Sequence, residues 1–151
     1  MPQAETRHGT IHYEEDQVFE MLGGLLGFPD AKRFVLLESA DIEPLRWLVS
    51  VDRKDLSVLV IDPRLLVPGY RVELSREEQS KLEITDGEVE REGDGNILPL
   101  AITLLSDKPQ QSTANLKAPI VLNTARMVAA QIVQTESRHS VQHPLLAEVP
   151  G

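Results

Sequence analysis

The residues able to do chemistry are few and poorly placed for it. Of four histidines, His8 and His12 stand four apart, which on a strand puts them on one face but ~13 Å apart, too far to share a metal. His139 and His143 have the spacing of one helical face, yet Ser140 and Pro144 argue against a helix there. All four read as ordinary surface or hydrogen-bonded histidines rather than metal ligands. The chain has no cysteine, which excludes thiolate catalysis, disulfides, iron–sulfur clusters and cysteine-based zinc sites. The stretch Gly23-Gly24-Leu25-Leu26-Gly27 lacks the Lys-Ser/Thr ending of a phosphate loop. It also lacks the preceding strand and following helix of a dinucleotide fold. A turn that needs positive φ accounts for it. No Gly-x-Ser-x-Gly elbow is present. The acids Glu14-Glu15-Asp16 and Glu77-Glu78 are adjacent and read as solvated, whereas general acid work needs a carboxyl in a protecting pocket. The expectation is a protein without catalytic residues, cofactor or metal. The alternative is a small β-barrel ligand-binding or enzymatic domain that uses an inner pocket, which requires polar groups converging on one cavity.

The elements that must position any site are mostly strands. Thr6 to Tyr13, Phe34 to Leu37, Trp47 to Val51, Ser57 to Ile61, Asn96 to Leu105, Ile120 to Leu122 and Val128 to Val133 carry the alternation or the short apolar runs of strands bounded by turns. In Trp47–Val51, residues 47, 49 and 51 share one face, with Leu48 and Ser50 on the other. Pro99 within its run predicts an edge position or a bulge, because proline cannot donate to a ladder. Ser75 stands three residues before Glu78, a capping pair that predicts one short helix near residues 75–82 with Leu82 facing inward. Many short strands, ten prolines and no βαβ rhythm predict an all-β, mainly antiparallel fold, a compact pseudo-barrel or sandwich.

The chain has 151 residues with 41% hydrophobic content and a formal charge of −9. One domain spanning residues 1–151 is expected, with a core large enough to offset the ordering entropy. The acidic balance argues against direct binding of nucleic acid or of an anionic membrane. The uncharged run Gly95–Ser106 is too short to span a bilayer, and the start Met1–Glu5 does not read as a signal peptide. A cytoplasmic location is therefore expected. Between Glu73 and Asp94 the net charge is −6, with a glycine-containing acidic loop at about 86–95. That stretch reads either as a solvated face or as an electrostatic docking surface.

Three segments together resemble the bacterial flagellar assembly factor family FliW. Thr113-Ala114-Asn115-Leu116-Lys117-Ala118-Pro119-Ile120-Val121-Leu122-Asn123 is similar to the family's central signature, and Gln131 and then His143-Pro144-Leu145 fit its later positions. Asp62-Pro63, Pro68 and Tyr70 form the second segment. Gly24-Leu25, Gly27-Phe28, Lys32, Phe34, Leu36 and Leu37 form the third. The likeness runs from about Thr6 to Leu146. Departures are Met21, Leu26, Val58 and Val67, together with Val49 at a usual glutamine and Ala129 at a usual glycine. The Val49 change removes a polar group suited to a partner contact or to a buried hydrogen bond.

What the resemblance implies is a monomeric protein that binds flagellin and the translational regulator CsrA and relieves CsrA repression of flagellin synthesis without touching RNA. Its partner-binding residues would be Asn115, Leu116, Lys117, Ala118, Pro119, Tyr70 and Gln131. The residues themselves leave two accounts open. In one, Asn115 bonds its own backbone and Pro119 sets the entry of a buried strand. In the other, the segment contacts a partner. Tyr70 is likewise either a half-buried anchor or an interface residue.

Overall fold

The computed structural model describes residues 3–6, 9–25, 27–84, 97–108, 111–134 and 142–145. Within them lie β1 (Gln3–Thr6), β2 (Gly9–His12), β3 (Val18–Met21), β4 (Arg33–Glu38), β5 (Arg46–Ser50), β6 (Ser57–Ile61), α1 (Arg76–Lys81), β7 (Ile97–Leu104), β8 (Thr113–Ala114), β9 (Ile120–Asn123), β10 (Val128–Gln131) and β11 (His143–Pro144). Seven strands form a ring in the order β7-β6-β5-β4-β3-β10-β9, closed where β9 pairs with β7. Every pairing around the ring is antiparallel except β3 with β10, which is parallel. β8 and β11 continue the sheet past β7, and β1 with β2 forms a separate hairpin. The all-β pseudo-barrel with one short helix is thus the architecture observed.

Side-chain alternation explains why the ring is buried on both faces. Phe34 and Leu36 of β4, Leu48 of β5 and Ile120 and Leu122 of β9 point into the barrel with Met21 and Leu100. A barrel of this size leaves an interior about wide enough for side chains, and this cluster occupies it. Val35, Val49 and Trp47 face outward beneath the β1–β2 hairpin, against Ala4 and Tyr13. Val121, Val128 and Ala130 face outward on another side, covered by Tyr70, Val72, Leu82 and Ile84. A strand buried twice reads as a continuous apolar run, which is the pattern of Ile120-Val121-Leu122. Val49 is fully buried, so this position faces the hairpin and no partner.

Two strand expectations change. Thr6 to Tyr13 is not one strand: Thr6 ends β1 and pairs with Gly9 at the start of β2. Gly9 has φ +88°, and the Thr6 hydroxyl donates to the Gly9 carbonyl at 2.8 Å, so the alternating pattern is folded back on itself. β3 carried no strand expectation, and it does precede the glycine stretch; β4 rather than a helix follows it. Gly23, Gly24 and Gly27 all have positive φ, the turn geometry expected of them.

Pro99 lies inside a ring strand and not on an edge strand. The Ile132 N–H donates to the Pro119 carbonyl, so alternate β9 residues 119 and 121 bond toward β10 while 120 and 122 bond toward β7. Pro99 stands opposite Val121, and its missing N–H therefore points to the β6 side. There the ladder has already ended at Ile61 opposite Ala101. From Ile97 to Leu100 the strand is paired on the β9 side only, which leaves proline room at position 99.

The helix forms as its capping pair predicts. The Ser75 hydroxyl accepts from the Glu78 N–H at 3.1 Å and the Glu78 carboxylate accepts from the Ser75 N–H at 2.8 Å. At the other end the Ile84 N–H reaches the Gln79 carbonyl and the Glu83 N–H reaches Ser80, with Glu83 at φ +56°. This is a Schellman stop that places a glutamate where glycine is usual. Leu82, fully buried, pins the helix to the barrel.

Candidate protein-interaction surface

The segment with the family signature runs from β8 into β9 as a turn clamped at every step. The Asn115 Oδ1 accepts from the Lys117 N–H at 3.0 Å and from the Ala118 N–H at 3.1 Å. Its own N–H donates to the Ile102 carbonyl of β7. Asn115 thus does what its short amide side chain favours, bonding the backbone two and three residues on. Leu116 is fully buried, Ala118 is buried and Pro119 is buried at the entry to β9. The Gln134 N–H donates to the Lys117 carbonyl and the Ile132 N–H to the Pro119 carbonyl. The Gln131 amide nitrogen donates to the Ala118 carbonyl at 3.1 Å.

Tyr70 belongs to the same assembly. Its ring is buried and its hydroxyl donates to the Leu116 carbonyl at 2.7 Å, across 46 positions of chain. Burial pushes its pKa from 10.0 up to about 12, because the phenolate would lose its hydration. Of the seven residues expected to bind a partner, Tyr70, Leu116, Ala118 and Pro119 therefore have buried side chains. Asn115, Lys117 and Gln131 are half-buried and border solvent. Lys117 enters no ion pair among the described residues.

Two further amides do similar work without having been singled out. Asn123, fully buried, donates to the Leu82 carbonyl at 2.8 Å, and its oxygen accepts from the Ala125 and Arg126 N–H groups. Gln134, buried, grips Glu73 twice, accepting from its N–H at 2.7 Å and donating to its carbonyl at 3.1 Å. Together with Tyr70 they lash residues 70–84 across the outside of β9 and β10. The available signal was an amide directly after an apolar run, where a strand hands its backbone to a turn; its distant partner was not readable.

Beside Gln131 a groove of about 630 Å³ opens between β10, the end of β3 and α1. The acidic face begins next to it: Glu73, Glu77 and Glu83 are exposed. The acidic loop at 86–95, together with His8, Leu26 and His139, lies outside the described residues.

Fold and site define a small closed β-barrel whose distinctive residues shape and present a surface. The FliW protein family model matches residues 3–145. The flagellar assembly factor FliW of Geobacter sulfurreducens is 39% identical over 139 residues, covering 92% of this chain and 82% of that protein. The one from Caldanaerobacter subterraneus subsp. tengcongensis is 33% identical over 143 residues, covering 93% and 90%. A crystal structure of the flagellar assembly factor FliW matches with a TM-score of 0.84 at 29% identity, covering 97% of this chain and 99% of that one. The chain belongs to the FliW family of flagellar assembly factors.

Proposed function

We propose that this chain acts as a cytoplasmic, monomeric, non-enzymatic regulator that binds flagellin and the translational regulator CsrA. By holding CsrA it relieves repression of flagellin synthesis, and it makes no contact with RNA itself. Family membership supports the setting. The observation that carries the reading is Lys117. Its N–H is taken by Asn115 and its carbonyl by Gln134, so the backbone is held on both sides. Its half-buried side chain enters no ion pair among the described residues, so it leaves the turn from a backbone fixed on both sides. The exposed carboxylates of residues 73–84 suit CsrA, whose RNA-binding surface is basic, and an acidic partner discourages RNA from the same surface.

The test is calorimetric titration of purified flagellin and purified CsrA against the wild type and Lys117→Ala. Binding by the variant weakens at least tenfold for one partner, while its melting temperature stays within about 2 °C, as for a surface change worth under about 0.5 kcal/mol. Wild-type protein that binds neither partner refutes the reading, and unchanged binding by the variant removes Lys117 from it.

A further inference from the structure

Residues 71–84 cover the outer face of β9 and β10 without joining the sheet. Among the described residues, no backbone-to-backbone hydrogen bond links them to a ring strand. Their own backbone bonds close within the segment: Gln79 donates to Ser75, Leu82 to Glu78, Glu83 to Ser80 and Ile84 to Gln79. The helix α1 at its middle is six residues long and buries none of them. That is well short of the ~12–15 residues at which a helix begins to hold by itself in water. The segment is fastened instead near its two ends, each time by a side chain of the barrel. At one end Val72 is buried, and the Gln134 amide accepts from the Glu73 N–H at 2.7 Å and donates to the Glu73 carbonyl at 3.1 Å. At the other, Leu82 and Ile84 are buried, and the Asn123 amide donates to the Leu82 carbonyl at 2.8 Å. Of these two amides only Gln134 also holds the signature turn, because its own N–H donates to the Lys117 carbonyl at 2.7 Å. Gln134 is buried, so a bond it loses is not readily replaced by water.

We infer that residues 71–84 form a strap that opens as one unit while the ring stays folded, and that Gln134 is the positioning residue coupling this opening to the signature turn. A segment with few buried contacts and self-contained backbone bonds belongs to the low-stability end of a fold. The coupling has a direction. Asn115 fixes the turn, the turn presents the Lys117 carbonyl, and that carbonyl holds the Gln134 backbone. The Gln134 side chain is thereby aimed at Glu73. Loosening the turn weakens the fastening, and whatever orders the turn tightens it. The strap carries the exposed carboxylates Glu73, Glu77 and Glu83, so their placement is governed from Lys117. The device stands on the fold alone. Its use rests on the proposed function, in which a partner seated on the turn would steady the acidic face offered to CsrA.

The test is native-state amide exchange by NMR on the full chain, without partners, across a series of low guanidinium concentrations. In the wild type the amides of Gln79, Leu82, Glu83 and Ile84 share one protection factor, about tenfold or more below that of the ring amides Val121 and Leu122. They also fall along a shallower line in denaturant, because opening the strap exposes less surface than unfolding the ring. Gln134→Met keeps the length of the side chain and removes both of its bonds to Glu73; it lowers protection of the strap about tenfold or more. Asn115→Ala lowers that protection about threefold or more in the wild type and less than about twofold in the Gln134→Met background. A glutamine that merely stabilised the fold would leave the two effects independent. Should the methionine variant fail to fold, Gln134→Glu at pH 7, which replaces only the donor to Glu73, takes its place in the cycle. Strap amides that share the slope of the ring amides overturn the opening as a unit, which the wild-type series decides without any variant. Additive effects of the turn and Gln134 substitutions overturn the coupling. Failure of flagellin and CsrA to bind this protein sinks the functional reading and leaves both results standing.

Discussion

Tyr70→Phe removes one oxygen atom and tests whether the lashing of residues 70–84 is energetic or merely geometric. The deleted hydroxyl donates to the carbonyl of Leu116, a residue with no exposed surface. A typical hydrogen bond nets about 1 kcal/mol, and a buried carbonyl left without its donor costs about 1–3 kcal/mol. The variant should be less stable by about 2 kcal/mol at pH 7, a fall of about 4–8 °C in melting temperature for a chain of this size. The second half of the test is pH. The folded-state pKa is raised to about 12 from 10.0, so the folded protein keeps the proton that the unfolded chain loses. The contribution is fully present below pH 10 and is lost as pH rises from 10 toward 12; at pH 11 the loss is about 1.4 kcal/mol. Phenylalanine has no such dependence. Urea unfolding of both proteins at pH 7 and pH 11 should therefore show the gap between them shrinking by about 1.4 kcal/mol. A gap of the same size at both pH values would refute the buried, proton-holding anchor, and no gap at pH 7 would refute the lashing.

Other perturbations probe the remaining features. Glu83→Gly relieves a left-handed backbone at the end of α1. The strain is worth about 1–2 kcal/mol, offset by about 0.5–1 kcal/mol of added chain entropy. The net gain of about 0–1.5 kcal/mol should raise the melting temperature by up to about 6 °C, and a lower melting temperature would show that the glutamate side chain contributes to the fold. If the acidic face steers CsrA, the association rate measured by stopped flow falls severalfold as salt rises tenfold and the screening length shortens from about 30 to about 10 Å. A flat rate across that series rejects steering by the stretch from Glu73 to Asp94.

Reading the sequence succeeded wherever the decisive interaction spans a few residues. Ser75 and Glu78 satisfy each other's backbone N–H groups, and the Asx turn at Asn115 closes within three residues. The glycines at 23, 24 and 27 take the positive φ values their clustering suggests. The division of Trp47–Val51 into two faces followed from alternation, while the burial of both faces did not. Reading failed where a partner lies far along the chain. β3 is four residues long and finds its parallel partner at Val128 and Ala129, so no local pattern declares it. Pro99 looked like a mark of an edge, yet what allows it is the place where another strand stops.

The sequence by itself determined the local chemistry: an all-β chain with one capped helix, turns set by glycine and Asn115, and a signature placing it near FliW. These follow from short-range sterics and from side chains bonding their own backbone, which need no tertiary partner. Only the tertiary structure decided what the signature is used for. It buries Leu116, Ala118 and Pro119, sets Tyr70 beneath the turn and leaves Lys117 and Gln131 at the surface. It also decided that β3 pairs with β10 at only two positions before the chain turns away at Gly23 and Gly24. Strand pairing between distant residues is settled by the collective burial of both faces of the barrel, a quantity that no single segment carries.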